Sequence, residues 1–583
     1  MIDTVLVVGG YGVFGARISM HLAREPQVDV VVAGRDMDSA RAFCAQHGGR
    51  PFRLDRDDPD LAGIVRDLRP FLVIDAAGPF QAYGPEPYRL AAAAVRAGAH
   101  YLDLPDDPHF TAGIAVLDPQ AREAGRVVFS GASSVPALSS AATDELAEGM
   151  GDIHLIESVI LPGNRAPRGL SVIRAIVGQA GRPLVLWRGG CGVSVPGWSG
   201  LRRIALGSVG GRDVGPRWAS FNAAPDLALF PRRFRARSVL FRAGLELKLM
   251  HGGLLLLSLP VRWGLMRSLA PLARPLKWIA ERLEPFGSDT GGMRVRVAGV
   301  TGRGEVEVRD WVLIAGAGDG PHIPAVPARV LFRMLREGAL APGARACLAA
   351  FPLARAEAIM AGLDIATRRA VAPQRLLFAH ALGPDFARLP HPVKDLHTVV
   401  DLRRWRGMAE VSNGPGRLAR LVRMLMRFPK AGRAVPVEVT MERLGEGEVW
   451  TRSFAGRRFR SHLSCRPEGA GGVRERFGPF SFDIGLSVRD GRLLYPVAAG
   501  RLFGLPLPRA LLPVSTSFEE ADDAGRATFD VAIALPLAGA IVRYRGWLRP
   551  DDGMDEAAGA GAPAASGLTA GTAPPSAAAR QGR

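Results

Sequence analysis

Three glycines near the start of the chain, Gly10, Gly12 and Gly15, have the G-x-G-x-x-G spacing of a turn that binds a dinucleotide. They follow Val5-Leu6-Val7-Val8, an all-apolar run that reads as a parallel strand buried on both faces, and a helical pattern begins after them. In such a turn the first glycine permits the tight bend and the second lets a diphosphate approach the backbone. The third lets helix and strand pack closely, and the free N–H groups of the helix start bind the phosphates. A second apolar strand, residues 28–33, ends in Gly34-Arg35-Asp36. Where an NAD site places a carboxylate for the ribose 2′-hydroxyl, this chain has Arg35, whose charge suits a 2′-phosphate and therefore NADP. A third place for chemistry is Ala76-Ala77-Gly78-Pro79-Phe80, small residues at the end of the apolar strand 71–75. Cofactor and substrate meet at such strand ends. Hydride transfer also needs a proton donor near the developing anion. Tyr101, Asp103 and Ser133 lie near strand ends, yet each has an ordinary structural role open to it, so the catalytic residue stays unknown.

The elements that must position these groups alternate. Helical patterns at 16–25, 38–47, 61–68, 88–97 and 121–125 separate apolar strands at 5–8, 28–33, 50–54, 71–75, 100–104 and 127–129. Six strands alternating with helices predict a doubly wound parallel sheet. Together GGYGVFG, AGR, DAAGPF, HYLDL and GASSVP resemble the saccharopine dehydrogenase-like family of NADP-binding oxidoreductases. The resemblance implies a Rossmann domain that binds NADP(H), joined to a second α/β domain. Carried over position by position, Gly10, Tyr11, Gly12, Val13, Phe14 and Gly15 would cradle the diphosphate. Arg35 would meet the 2′-phosphate, Asp55 would lie near the adenine, and Ala77, Gly78 and Pro79 would line the nicotinamide end. Family membership names a cofactor and leaves the substrate open. Gly9-x-x-Gly12-x-x-Gly15 also fits the turn of short-chain dehydrogenases, which use a Tyr-x-x-x-Lys pair. The residues four before the lysines here are Gly244, Ala273, Pro390 and Met426, so that reading fails.

Length and composition set the wider frame. At 583 residues, two to four domains are expected. The expected division is 1–140, an NADP-binding Rossmann domain; 141–371, a substrate domain of mixed or antiparallel sheet whose chain end returns to the Rossmann domain; 372–552, a mainly antiparallel β domain; and 553–583, a disordered tail of Ala, Gly, Pro, Ser and Thr. FGPFSFDIGLSVRDGRLLYPV, GLPLPRALLP and IVRYRGWL resemble a domain of unknown function fused behind this family. Segment 319–336 is the expected return to the nucleotide domain, with His322 as a loop histidine. The formal charge of +18 comes almost wholly from arginine, with four lysines among 74 basic residues, and no nucleic-acid module accompanies it. Nucleic acid is therefore not an expected partner. Cys44, Cys191, Cys347 and Cys465 lie far apart, with no metal spacing, as befits reduced thiols in a cytoplasmic protein. With a strand starting within five residues of Met1, no signal peptide is expected.

Residues 201–285 are the most basic stretch, with 15 Arg or Lys against five Asp or Glu, and they contain the apolar run 249–261. Thirteen residues cannot cross a bilayer, where about 20 are needed. A buried helix is the default for that run, and a helix lying at a membrane surface is the alternative. The coincidence of grease and positive charge favours a lipid-like small-molecule substrate, or peripheral membrane contact. The leading expectation is thus an NADP-dependent oxidoreductase. A non-catalytic NADP(H)-binding protein and a membrane-surface scaffold are the alternatives.

Overall fold

A computed structural model describes residues 2–466 and 471–551. The expected tail lies outside the described residues. The first sheet contains β1 (Asp3–Val8), β2 (Val28–Gly34), β3 (Arg50–Arg53), β4 (Leu72–Asp75), β5 (His100–Asp103) and β6 (Val127–Ser130). A seventh strand, Gly343–Ala346, joins it, and every pairing is parallel. Across the sheet the order is Gly343–Ala346, β6, β5, β4, β1, β2, β3. Alternate residues face opposite layers, because successive side chains of a strand point to opposite faces. Val5 and Val7 of β1, with Val30 and Val32 of β2, pack towards α1 (Gly15–Leu22) and the helix Val326–Arg336. Leu6, Val8 and Val31 pack towards the helices Leu61–Leu68 and Arg89–Arg96. Both faces are covered, which is why these strands read as continuous apolar runs. Chain order reverses between β1 and β4, and in open parallel sheets ligands bind at the carboxyl ends flanking such a reversal.

Segment 319–336 contacts α1 and the start of β1 in the first sheet. Arg333 bonds Glu25 at 2.6 Å, Arg336 reaches Asp3 at 3.1 Å, and His322 meets His21 of α1 at 3.0 Å. Burial depresses both imidazoles' pKa values, that of His21 to about 4. The strand Gly343–Ala346 was not anticipated. Its sequence, Gly-Ala-Arg-Ala, offers no apolar run, and it is a strand because β6 presents a free edge.

The second sheet is mixed. Its spine runs Arg202–Ile204, Arg217–Phe221, Val239–Gly244, Met150–Leu161, Gly291–Thr301, Val306–Ala315, Ile365–Pro373. Gly291–Thr301 and Val306–Ala315 pair antiparallel as a hairpin. Ile365–Pro373 pairs with Val306–Ala315 along its whole length, so the second sheet runs through residue 373. The third sheet has 14 strands, all paired antiparallel, between Leu402 and Pro550. The strand Leu402–Asn413 is central to it, although its sequence, LRRWRGMAEVSN, shows no clean alternation. Arg188 ties the last two sheets together, bonding Asp401 at 2.8 Å and Glu442 at 3.0 Å.

The apolar run 249–261 forms the helix Lys248–Arg262, and here the buried-helix expectation needs correcting. His251, Leu254, Ser258 and Val261 face inward, with His251 bonded to Ser220 at 2.9 Å. The other face stands in solvent: Leu249 is 76% exposed, Leu256 64%, and Trp263 just beyond the helix 68%. A helix that is apolar all round but rests on one neighbouring layer can bury only one side. Among the described residues no helix is long and apolar enough to cross a membrane.

Candidate functional site

The glycine turn lies at the reversal of the sheet. Gly9 adopts a left-handed φ of +74°, and a side chain there would come within 2.7 Å of Ala77 Cα, so the loops after β1 and β4 touch. At Gly15 a Cβ would sit 2.1 Å from the Gly9 carbonyl oxygen, and only glycine lets α1 start this close to β1. The backbone closes with Gly12 N–H donating to Gly9 O at 2.9 Å and Ala16 N–H to Gly12 O at 2.8 Å. Ser19 Oγ donates to Gly10 O at 2.9 Å. Among the described residues, the N–H groups of Val13, Phe14 and Gly15 have no backbone acceptor. They are the open donors of a helix start, where an anion is stabilised.

Tyr11 connects this turn to the end of β2, its hydroxyl accepting from Asp36 N–H at 3.0 Å. Arg35 is exposed there and pairs with no carboxylate among the described residues. Its neighbour Asp36 is already engaged as the N-cap of α2 (Met37–His47): it accepts from Asp38 N–H, Ser39 N–H and, at 2.6 Å, Ser39 Oγ. Those bonds, the Ser39 hydroxyl foremost, lower its pKa. The acid at the end of β2 is thus spent on the helix, while the Arg35 guanidinium has no carboxylate partner among the described residues. Asp55 follows β3 in an exposed turn and accepts from Asp57 N–H at 3.1 Å; Leu54 N–H bonds Gly34 O, which places Asp55 on the same side as Arg35. Ala77, Gly78 and Pro79 lie across the turn, Ala77 and Pro79 exposed.

Two carboxyls that sequence reasoning did not pair meet beneath this surface. Parallel pairing sets Asp75 of β4 beside Asp103 of β5, both fully buried. Asp75 accepts from Ala77 N–H at 3.0 Å and from Tyr83 Oη at 3.1 Å, with the Arg56 guanidinium 3.3 Å above the Tyr83 ring. Asp103 accepts from Gly131 N–H at 2.9 Å. Burial raises the pKa of Asp75, and it pushes Asp103 up to about 8, against the Ser130 hydroxyl and the Gly131 N–H; the charge of Asp75 adds to the rise. Each carboxyl pins a loop, Asp75 the one after β4 and Asp103 the one after β6. The signal for Asp75 was visible, a charged residue closing the apolar run FLVID. Its adjacency to Asp103 depends on strand order. Of the three proposed proton donors, Tyr101 and Asp103 are buried, and only Ser133 keeps partial exposure.

Strand order and turn together define a Rossmann domain of the dinucleotide-binding class. Residues 5–129 match the family model of the saccharopine dehydrogenase NADP binding domain, and residues 389–548 match a domain of unknown function, DUF4166. The first match falls on the parallel sheet with the glycine turn, and the second on the antiparallel third sheet; together they support a nicotinamide nucleotide cofactor and a generic oxidoreductase. No curated protein matches it. Among solved structures, saccharopine dehydrogenase (L-Glu forming) from Saccharomyces cerevisiae is similar at 15% identity and a TM-score of 0.46, over 64% of this chain and 100% of that one. GenD2 from gentamicin A biosynthesis, in complex with NAD, is similar at 14% identity and a TM-score of 0.30, over 64% and 97%.

Proposed function

We propose that the protein is an NADP(H)-dependent oxidoreductase acting on a lipid-like small molecule. In this reading Gly10, Tyr11, Gly12, Val13, Phe14 and Gly15 hold the diphosphate, Arg35 the 2′-phosphate, Asp55 stands beside the adenine, and Ala77, Gly78 and Pro79 line the nicotinamide end. NADP, when bound, supplies or accepts a hydride there. Asp75 and Asp103 act as positioning residues, fixing the loops after β4 and β6. The observation that carries the choice of NADP is the division of labour at the end of β2: Arg35 is free and Asp36 is bound to its own helix. The substrate class rests on the exposed apolar face of Lys248–Arg262 and Trp263, flanked by Arg262 and Arg267, which also supports contact with an anionic membrane surface. The test is NADPH oxidation, followed at 340 nm, with imine, carbonyl and enoyl compounds bearing short or long hydrocarbon chains. Turnover of a long-chain compound is expected; turnover restricted to a small amino-acid imine contradicts the substrate class.

A second reading has its own support. The acids at the β4 and β5 ends face inward, and Ser133 is the only one of the three proton-donor candidates with exposed surface. That arrangement also suits a protein that holds NADP(H) as a structural or regulatory ligand without turnover. NADPH binding with no oxidation across the whole panel is its signature.

A further inference from the structure

The third sheet coils until its ends meet. Strand Phe480–Gly485 lies near one end and Ser487–Arg489 at the other, yet only Leu486 separates them in the chain. Tyr495 and Pro496 alone link Arg492–Leu494 back to Val497–Leu502. Gly485 N–H donates to Pro496 O at 2.9 Å and Leu486 N–H to Gly471 O at 3.1 Å, which carries the ladders of that end of the sheet right up to the one-residue crossover. A sheet wrapped this way has an inside, and the period-2 pattern shows what faces it. Along Gly432–Leu444, Val437, Val439 and Met441 point in while Glu438 and Thr440 point out. The inward residues enclose a cavity of about 430 Å³, within the ~300–1,000 Å³ range of small-molecule sites.

Its wall is almost wholly hydrocarbon and aromatic, including Phe454, Phe459, Phe482, Phe529, Val531 and Ile533. The charged groups on the wall already have partners. Arg452 donates to Ser461 Oγ at 2.9 Å and to Glu475 at 3.2 Å; Glu519 meets His397 at 2.6 Å and Tyr495 Oη at 2.7 Å. The interior therefore offers little to a polar ligand. Leu425, at the end of the helix Arg417–Leu425, and Leu511 both border the cavity and are 69% and 43% exposed, so the mouth lies between them. Arg427 and Arg509, both exposed, flank those two segments.

We propose that this barrel binds a single-chain lipid of the fatty-acid class, its hydrocarbon chain inside and its anionic head at the mouth beside Arg427 and Arg509. The inference does not rest on the reading of the nucleotide turn. The test titrates the full chain with cis-parinaric acid, whose fluorescence rises in an apolar site. Saturable binding of one molecule per chain is expected. Filling the cavity by Val531→Trp or Ile533→Trp should weaken it about tenfold or more, a loss of about 1.4 kcal/mol. Arg427→Glu with Arg509→Glu should weaken it several-fold at low salt and less at high salt. Melting curves and circular dichroism report whether each variant folds. Should both tryptophan variants unfold, a diazirine-bearing fatty acid photolysed on the unaltered protein decides, since it should label peptides within 437–459 or 529–535. Absence of saturable binding, equal affinity in the folded tryptophan variants, or labelling elsewhere would overturn the proposal. So would binding lost in Leu256→Asp but kept in Val531→Trp, which would place the lipid on the exposed helix.

Discussion

Arg35 and Asp36 are neighbours in sequence, yet one is free to meet a phosphate and the other is tied to three donors of its own helix. Replacing Arg35 by Ala should therefore weaken NADPH about ten- to a hundredfold, the worth of a hydrogen bond to a charged group, and leave NADH unchanged. Paired titrations of both nucleotides measure this, and an equal loss for the two would contradict it. Asp103 gives a second prediction at this scale. Its carboxyl stays protonated up to about 8 in the folded protein, whereas an unfolded chain ionises it near ~3.9. Folding thus takes up a proton between those values. The stability of the neutral carboxyl is fully present below about pH 4 and is lost as pH rises to about 8. Asp103→Asn keeps the shape and cannot ionise. Wild-type stability minus that of the variant should fall by up to about 1.4 kcal/mol per pH unit across the window. Urea unfolding at pH 5 and 7.5 checks the slope, and a difference independent of pH would contradict it. The type of each residue was plain in the sequence. That Asp36 caps α2, and that Asp75 and Asp103 lie side by side, was not, because a cap needs the helix boundary and a pair needs the strand order.

Among the elements, those most legible were the parallel strands, since burial on both faces demands unbroken apolar runs such as Val5-Leu6-Val7-Val8. The turn after β1 was legible for a related reason: Gly15 leaves no room for a Cβ against the Gly9 carbonyl. Gly15→Ala should destabilise the protein by about 1–3 kcal/mol, as overpacking does, and should abolish NADPH binding. A stable variant that binds normally would show that the turn relaxes freely. The strands Gly343–Ala346 and Leu402–Asn413 were missed because neighbouring strands, not their own periodicity, hold them in the sheet. Lys248–Arg262 was legible as a helix but not as half-exposed, since an all-apolar run hides which side meets solvent. Leu256→Asp is accordingly expected to leave the melting temperature within about 1 °C while weakening sedimentation with anionic vesicles, whose attraction to basic residues is worth about 1 kcal/mol each. Unfolding of that variant, or sedimentation unchanged from wild type, would contradict a membrane-facing role.

The whole molecule joins a nucleotide-binding sheet to a coiled antiparallel sheet through a mixed one, with Arg188 bridging the last two. We propose that the third sheet with its helices folds as a unit. A protein of residues 374–551 should be soluble and rich in β-structure by circular dichroism, and residues 1–373 should still bind NADPH; loss of binding would make the third sheet part of the cofactor site. The change from helix–strand alternation to turn-bounded strands was legible near this point. The cavity was not, because alternation tells inside from outside but not whether the inside is filled. The most direct test of the account is titration of the purified full chain with NADPH and with NADH, following nicotinamide fluorescence. The account predicts saturable binding of one nucleotide per chain, with NADPH at least about tenfold tighter. Equal dissociation constants, or no binding of either nucleotide, would contradict it.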